Sequence, residues 1–279
     1  MDLVPISFME DLFRLISSIE QPVLHSWLSG HLGIIANQYL KDGHYKRVKL
    51  KNGSFKKISY CDMNSLPVKD KTSLRTRFRV YNFVDFYTSR ENQEPKIGPN
   101  LPQMLQNFSK EPGMMCLGLY SSKLDDKWVQ LFASWQNLNL IHIGCEFNEH
   151  VMKLMNKLVE REQLVRLIVG YDYGPEGVEL FVKLLEQKQF KRLSNYVYSE
   201  DLKVRILAEE DSKKFAGSSV SWWRKVVLHD DSFECLEPVE AYLLELKKGN
   251  MVVSYNSSTT AETEEEFMES VFRTQIQFL

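Results

Sequence analysis

Apolar positions recur along the middle of this chain at a fixed interval. Leu138, Leu164 and Phe190 lie 26 residues apart, as do Ile141, Leu167 and Leu193. The same step relates Trp128, Leu154 and Leu180, then Phe132, Leu158 and Leu184, then Ala133, Val159 and Leu185. The first two series fall in short extended runs of the type Leu-x-x-Leu-x-Val, seen as Leu164 to Val169, and the other three fall on helical faces. Each copy is one β-α unit, and such a unit cannot bury its own apolar faces without neighbours. The pattern predicts an α/β chain: a short N-terminal helical segment, then a leucine-rich-repeat-like β-α array with 26-residue repeats and a β-hairpin insertion. Leu117 to Leu119, 24 residues before Ile141 to Ile143, joins the same series.

The flanks follow other periods. Residues 5–20 read as a helix with Pro5 near its start, whose apolar positions Phe8, Met9, Leu12, Phe13, Leu15, Ile16 and Ile19 spread over about 160° at ~100° per residue. A face that broad packs on two neighbours or presents part of itself to another protein. A second helix follows Pro22, with Leu24, Trp27, Leu28, His31, Leu32, Ile35 and Tyr39 at three- and four-residue steps. Lys46 to Leu50 and Phe55 to Tyr60 then flank Lys51-Asn52-Gly53-Ser54, and Asn-Gly between two extended runs predicts a hairpin. Arg77 to Thr88 alternates as a strand, and Leu101 to Phe108 forms a short amphipathic helix. Beyond the repeats, the third strand is placed at Tyr196 to Tyr198, followed by a helix from Ser199 to Phe215 capped by Ser199 or Asp201. A strand over Val220 to His229 and a helix-strand tail over Pro238 to Tyr255 complete the reading. Two regions result, a helical segment at 1–44 and a β-α repeat domain at 45–279.

The 35 basic and 37 acidic residues leave a formal charge of -2, so no global field points to nucleic acid or a membrane surface. Locally the balance differs: between Lys41 and Arg79 there are 12 Lys or Arg against three Asp and no Glu. With Tyr45, Phe55, Tyr60 and Phe78 interleaved, this segment leaves nucleic-acid binding open as an alternative. Strand edges guarded by lysine give the same composition without a ligand, and that reading is preferred. No apolar run approaches the roughly 20 residues needed to span a bilayer, and the acidic amino terminus argues against a secretory signal, so no membrane partner and a cytoplasmic or nuclear location are expected. Cys61, Cys116, Cys145 and Cys235 have neither disulfide-framework nor zinc-site spacing.

The common one-line signatures of catalysis, of phosphate binding and of metal binding are absent, so no enzyme activity, catalytic residue, metal or cofactor is expected. The chemistry that stands out is aromatic. Tyr171 and Tyr173 follow Val169, Tyr196 and Tyr198 follow the next repeat, and Trp222 precedes Trp223. Parallel strands of a curved β-α array line one continuous surface, and Tyr, Trp and Arg are the residues enriched where proteins grip one another. These six aromatics are the candidate substrate-binding residues for a protein target. Alternate strand residues point to opposite faces, so only one of Trp222 and Trp223 can be core.

Val4-Pro5 followed by Phe8, Leu12, Leu15 and Ile16, then a second apolar helix with Trp27 and Leu28, resembles a divergent F-box. The chain as a whole is similar to the nematode-expanded F-box-like and F-box-associated family, including the run from Lys225 to Glu234. The resemblance implies that Val4, Pro5, Phe8, Leu12, Leu15 and Ile16 dock on a Skp-type adaptor of a cullin-RING ubiquitin ligase. It also implies that the repeats hold a protein target, making the chain a non-catalytic substrate-recognition subunit of an SCF-type ligase. An adaptor-independent scaffold with the same array is the alternative.

Overall fold

The computed structural model describes residues 30–70, 72, 74–88, 96–208, 213–228, 234–235, 243–257 and 264–279. The proposed adaptor-binding residues Val4, Pro5, Phe8, Leu12, Leu15 and Ile16 lie outside these described residues. The chain is α/β, with strands and helices alternating through its middle, and it divides into two units, Met1–Ile141 and His142–Leu279. The boundary that the sequence suggests at 44/45 lies inside the first of them.

In the first unit, helix α1 (Gly30–Asp42) buries Ile35, Ala36 and Tyr39 against Phe78 and Val80. The Tyr39 and Phe78 rings meet edge to face at 5.4 Å, and the Tyr39 hydroxyl donates to the Arg77 carbonyl at 3.1 Å. Strands β1 (His44–Lys51) and β2 (Ser54–Asp62) form the expected hairpin. Its turn residues Asn52 and Gly53 both have positive φ, 52° and 75°, as the tightest hairpin turns require. Gly53 is needed for space as well, because a Cβ there would lie 2.0 Å from the Lys96 carbonyl oxygen. The hairpin is built into the sheet: β1 pairs in parallel with β3 (Arg79–Tyr87), which pairs in parallel with β4 (Met114–Leu119). Helix α2 (Leu101–Ser109) joins β3 to β4, and α3 (Asp126–Ala133) precedes β5 (Leu138–Ile143).

The first copy of the repeat, from Trp128 to Ile141, belongs to the first unit, and the second unit carries the copies that follow. Helices α4 (Glu149–Glu160), α5 (Gly174–Leu185) and α6 (Glu200–Leu207) alternate with β6 (Arg166–Val169), β7 (Arg192–Asn195) and β8 (Ser219–Trp222). Leu167 of β6 pairs in parallel with Leu193 of β7, the 26-residue step made physical. The same step appears in the backbone: Gly170 N–H donates to the Ile143 carbonyl at 2.8 Å, and Tyr196 N–H donates to the Val169 carbonyl at 2.9 Å. Of the five residue series that define the repeat, every member is buried except half-buried Val159. The helices start where side chains cap them. Asp125, Asn148 and Ser199 accept from the backbone N–H of Trp128, Val151 and Leu202 at 2.9, 3.0 and 3.2 Å, each cap contributing about 1 kcal/mol.

Four local expectations are corrected. The third strand is Arg192–Asn195, not Tyr196 to Tyr198, because the ladder with β6 sets its register. Helix α6 ends at Leu207, and a separate 3-10 turn covers Lys213–Phe215. Strand β8 stops at Trp222, where its backbone leaves the ladder for side-chain partners: Thr274 Oγ1 accepts from Val226 N–H at 3.0 Å, and the Tyr255 hydroxyl accepts from Leu228 N–H at 3.0 Å. Residues 238–242 of the expected helix-strand tail lie outside the described residues, and from Leu243 the tail is a hairpin of β10 (Leu243–Lys248) and β11 (Met251–Ser257). Strand β9 (Glu234–Cys235) pairs with β10; a short helix α7 (Glu264–Glu269) leads into β12 (Val271–Phe278). Strand β12 runs antiparallel between β8 and β11 and ends the parallel array.

Candidate interaction surface

Alternation along the strands of the second unit sorts residues onto two faces. Leu193, Val220, Ile276, Val253 and Leu246 stand in one registered row across β7, β8, β12, β11 and β10, and all are buried. One residue away along each strand, the facing row is polar: Ser194, Ser221, Gln275, Ser254 and Glu245. Within it Ser221 Oγ donates to Ser194 Oγ at 3.3 Å, and Ser254 Oγ donates to Glu245 Oε1 at 2.9 Å. The apolar row is core; the polar one is the face turned away from it.

The candidate aromatics sit where the parallel strands end. One last backbone bond, from Trp223 N–H to the Asn195 carbonyl at 3.1 Å, is made before the chain after β8 turns to side-chain partners, and it sets Tyr196 beside Trp223. Their rings stack with centroids 5.9 Å apart and planes inclined by 8°. Both are open to solvent, Tyr196 at 51% and Trp223 at 44%. The Arg273 guanidinium lies over the Trp223 ring at 5.1 Å, and its Nη2 donates to Gln275 Oε1 at 3.0 Å, tying the aromatic pair to the polar row. Arg224 stands 6.0 Å from the ring of half-buried Tyr198, whose hydroxyl donates to the Glu200 carboxylate. Tyr171, which follows β6, is also exposed. An array of this kind supplies flat, rigid contact area and cations, the materials of protein recognition.

Two of the six aromatics do not belong to this surface. Trp222 is fully buried, the core member of the pair as alternation requires. Tyr173 is buried against Phe181 at 4.6 Å and Phe147 at 6.2 Å, and burial pushes its phenol up to about 12. Arg166 and Arg273 were not singled out from the sequence, although Arg166 and Arg192 are 26 apart and pair in register at the start of their strands.

Within the basic segment, Lys46, Arg47 and Arg79 are held by carboxylates. Lys46 Nζ reaches both carboxylate oxygens of Glu111 at 2.7 and 2.8 Å, Arg79 pairs with the same carboxylate, and Arg47 Nε lies 2.6 Å from Asp85 Oδ2. Cations paired this way are not available to phosphates. Among the described residues, no group of three or more His, Cys, Asp or Glu is placed to hold a metal ion, and no helix is long and apolar enough to cross a membrane. Cys61, Cys116 and Cys145 are buried thiols in no disulfide; burial, with Glu146 adding to it, pushes the Cys145 thiol up to about 12. A thiol so shifted is a poor nucleophile at neutral pH. A groove of about 640 Å³ runs along α4, lined by Asn148, Glu149, Lys153, Lys157, Glu160 and Glu176 among others, and its charges are of both signs. Compared with known families and with curated proteins, the chain matches no family model and no curated protein.

Proposed function

We propose that this chain is a non-catalytic protein-interaction subunit whose target-binding surface is the exposed edge formed by Tyr196, Trp223 and Arg273, with Tyr171 and Tyr198 beside it. The observation that supports it best is the stacked Tyr196–Trp223 pair, half open to solvent and crossed by a guanidinium, at the end of a strand ladder that fixes its position. Exposed aromatic rings on a rigid edge lose little conformational freedom on binding, which is why such residues dominate recognition energetics.

The resemblance of Val4, Pro5, Phe8, Leu12, Leu15 and Ile16 to an F-box opening extends the proposal: this segment binds a Skp-type adaptor, and the chain acts as the substrate-recognition component of a cullin-RING ligase. The mechanism is proximity, since a target held on the repeat surface is kept at high effective concentration near ligase-bound ubiquitin. The test is co-purification of the full chain with a Skp-type adaptor, beside a variant carrying Phe8→Asp, Leu12→Asp and Ile16→Asp and verified to melt like the parent. Binding by the parent alone is expected. Binding by neither would leave the adaptor-independent scaffold, which uses the same aromatic edge.

A further inference from the structure

Two arginines on the polar face of the second unit lack the counter-charge that half-buried guanidinium groups ordinarily have. Arg166 opens β6 and alternates with buried Leu167, which places it on the face shared by Ile168, Ser194 and Ser221. Arg273 lies on β12 on the same face as Gln275. The Nε of each is buried without a hydrogen-bond partner, and among the described residues neither forms an ion pair. The two feel each other: Arg273 is held below the usual guanidinium range, first by burial and then by the charge of Arg166. Glu245, the carboxylate in the registered polar row, is bonded to Ser254. Ser194 and Ser221, hydrogen-bonded to each other, are buried within the same row.

Like charges half-buried on one face, with no carboxylate paired to either among the described residues, are costly unless an anion arrives to join them. The planar fork of a guanidinium matches the two oxygens of a carboxylate or phosphoryl group. Trp223, under Arg273 and stacked on Tyr196, adds an apolar bed beside the charges. A continuous polyanion fits poorly, because Glu245 stands in the same row and would repel it. We infer that this face binds an acidic segment of a protein partner, with Arg166 and Arg273 receiving its carboxylate or phosphoryl groups and Trp223 and Tyr196 receiving the adjoining chain. The inference rests on the proposed protein-recognition role and names the chemistry of what is recognised.

The test is fluorescence anisotropy with the full chain and a labelled peptide holding a single Glu-Ser-Glu step flanked by neutral residues, in unphosphorylated and serine-phosphorylated forms. Binding is expected to weaken by about tenfold or more in Arg166→Gln and in Arg273→Gln, to survive in Lys153→Gln on the helix layer, and to be partly restored by Arg166→Lys. It should also fall as salt rises from about 50 to about 200 mM. Tighter binding of the phosphorylated form assigns the site to phosphoryl groups, and equal binding assigns it to carboxylates; either supports the inference. It is overturned if neither peptide binds, if both glutamine variants bind like the parent, or if a labelled oligouridylate of equal charge binds more tightly than both peptides. In the first two cases a target interaction that depends on Trp223 and Tyr196 would stand unaffected, so the two readings fail separately.

Discussion

Leu167→Ala is expected to lower the unfolding free energy by about 2–5 kcal/mol, a large share of the roughly 5–15 kcal/mol that holds a domain folded. Leu167 is fully buried in β6 and paired with Leu193, so its removal opens a cavity at the registered centre of the repeat. The neighbouring Ile168 points to the opposite face and is only half-buried, so Ile168→Ala should cost much less. Urea denaturation checks this: the midpoint for Leu167→Ala should fall well below that of Ile168→Ala with little change in slope. Equal midpoints for the two variants would contradict the alternation on which both the core and the interaction face depend.

Arg47→Gln is expected to destabilise the first unit by about 2–4 kcal/mol near neutral pH and by far less near pH ~4. Asp85 is fully buried on β3, and Arg47, partly open to solvent, is the cation that reaches it. Glycine at 118 leaves room for the carboxylate, since a Cβ there would come within 2.9 Å of Asp85 Oδ1. Burial raises the pKa of Asp85 more than Arg47 and Lys49 lower it. A carboxyl with a folded pKa above its unfolded value binds more protons when folded, so its contribution is present below the unfolded value and is lost as pH rises through the folded one. Removing Arg47 raises that pKa further and steepens the loss on the alkaline side. Melting curves at about pH 4 and about pH 7.5 check it. An equal loss at both would show that Arg47 acts through packing, not through the charge of Asp85.

How much of this was legible in the sequence depended on whether the governing partner lay one repeat away. The 26-residue period exposed the array because Leu167 and Leu193 are themselves the paired residues. Asn52-Gly53 exposed the hairpin because its positive φ values are a local requirement. The end of β8 was not legible, since the groups that draw its continuation out of the ladder, Thr274 and Tyr255, arrive from 48 and 27 residues further along. The same distance hid half of the interaction face. Tyr196 and Trp223 could be read from strand ends, whereas Arg273 comes from an antiparallel strand outside the repeat and meets Trp223 only in the folded sheet. Tyr173 misled because it follows a strand as Tyr171 does. Its ring nonetheless turns inward onto Phe181, a helix residue of its own repeat, and Phe147 of the preceding one.

The central claim, that the exposed aromatic edge of the second unit is where a protein partner sits, is tested most directly by site-specific photo-crosslinking in cells. A benzophenone amino acid would replace Tyr196 or Trp223 in turn, with exposed Val204 on helix α6 as the comparison position. The account predicts a discrete protein adduct from positions 196 and 223 that is missing from position 204. Adducts of equal yield from all three positions, or none from 196 and 223, would contradict it.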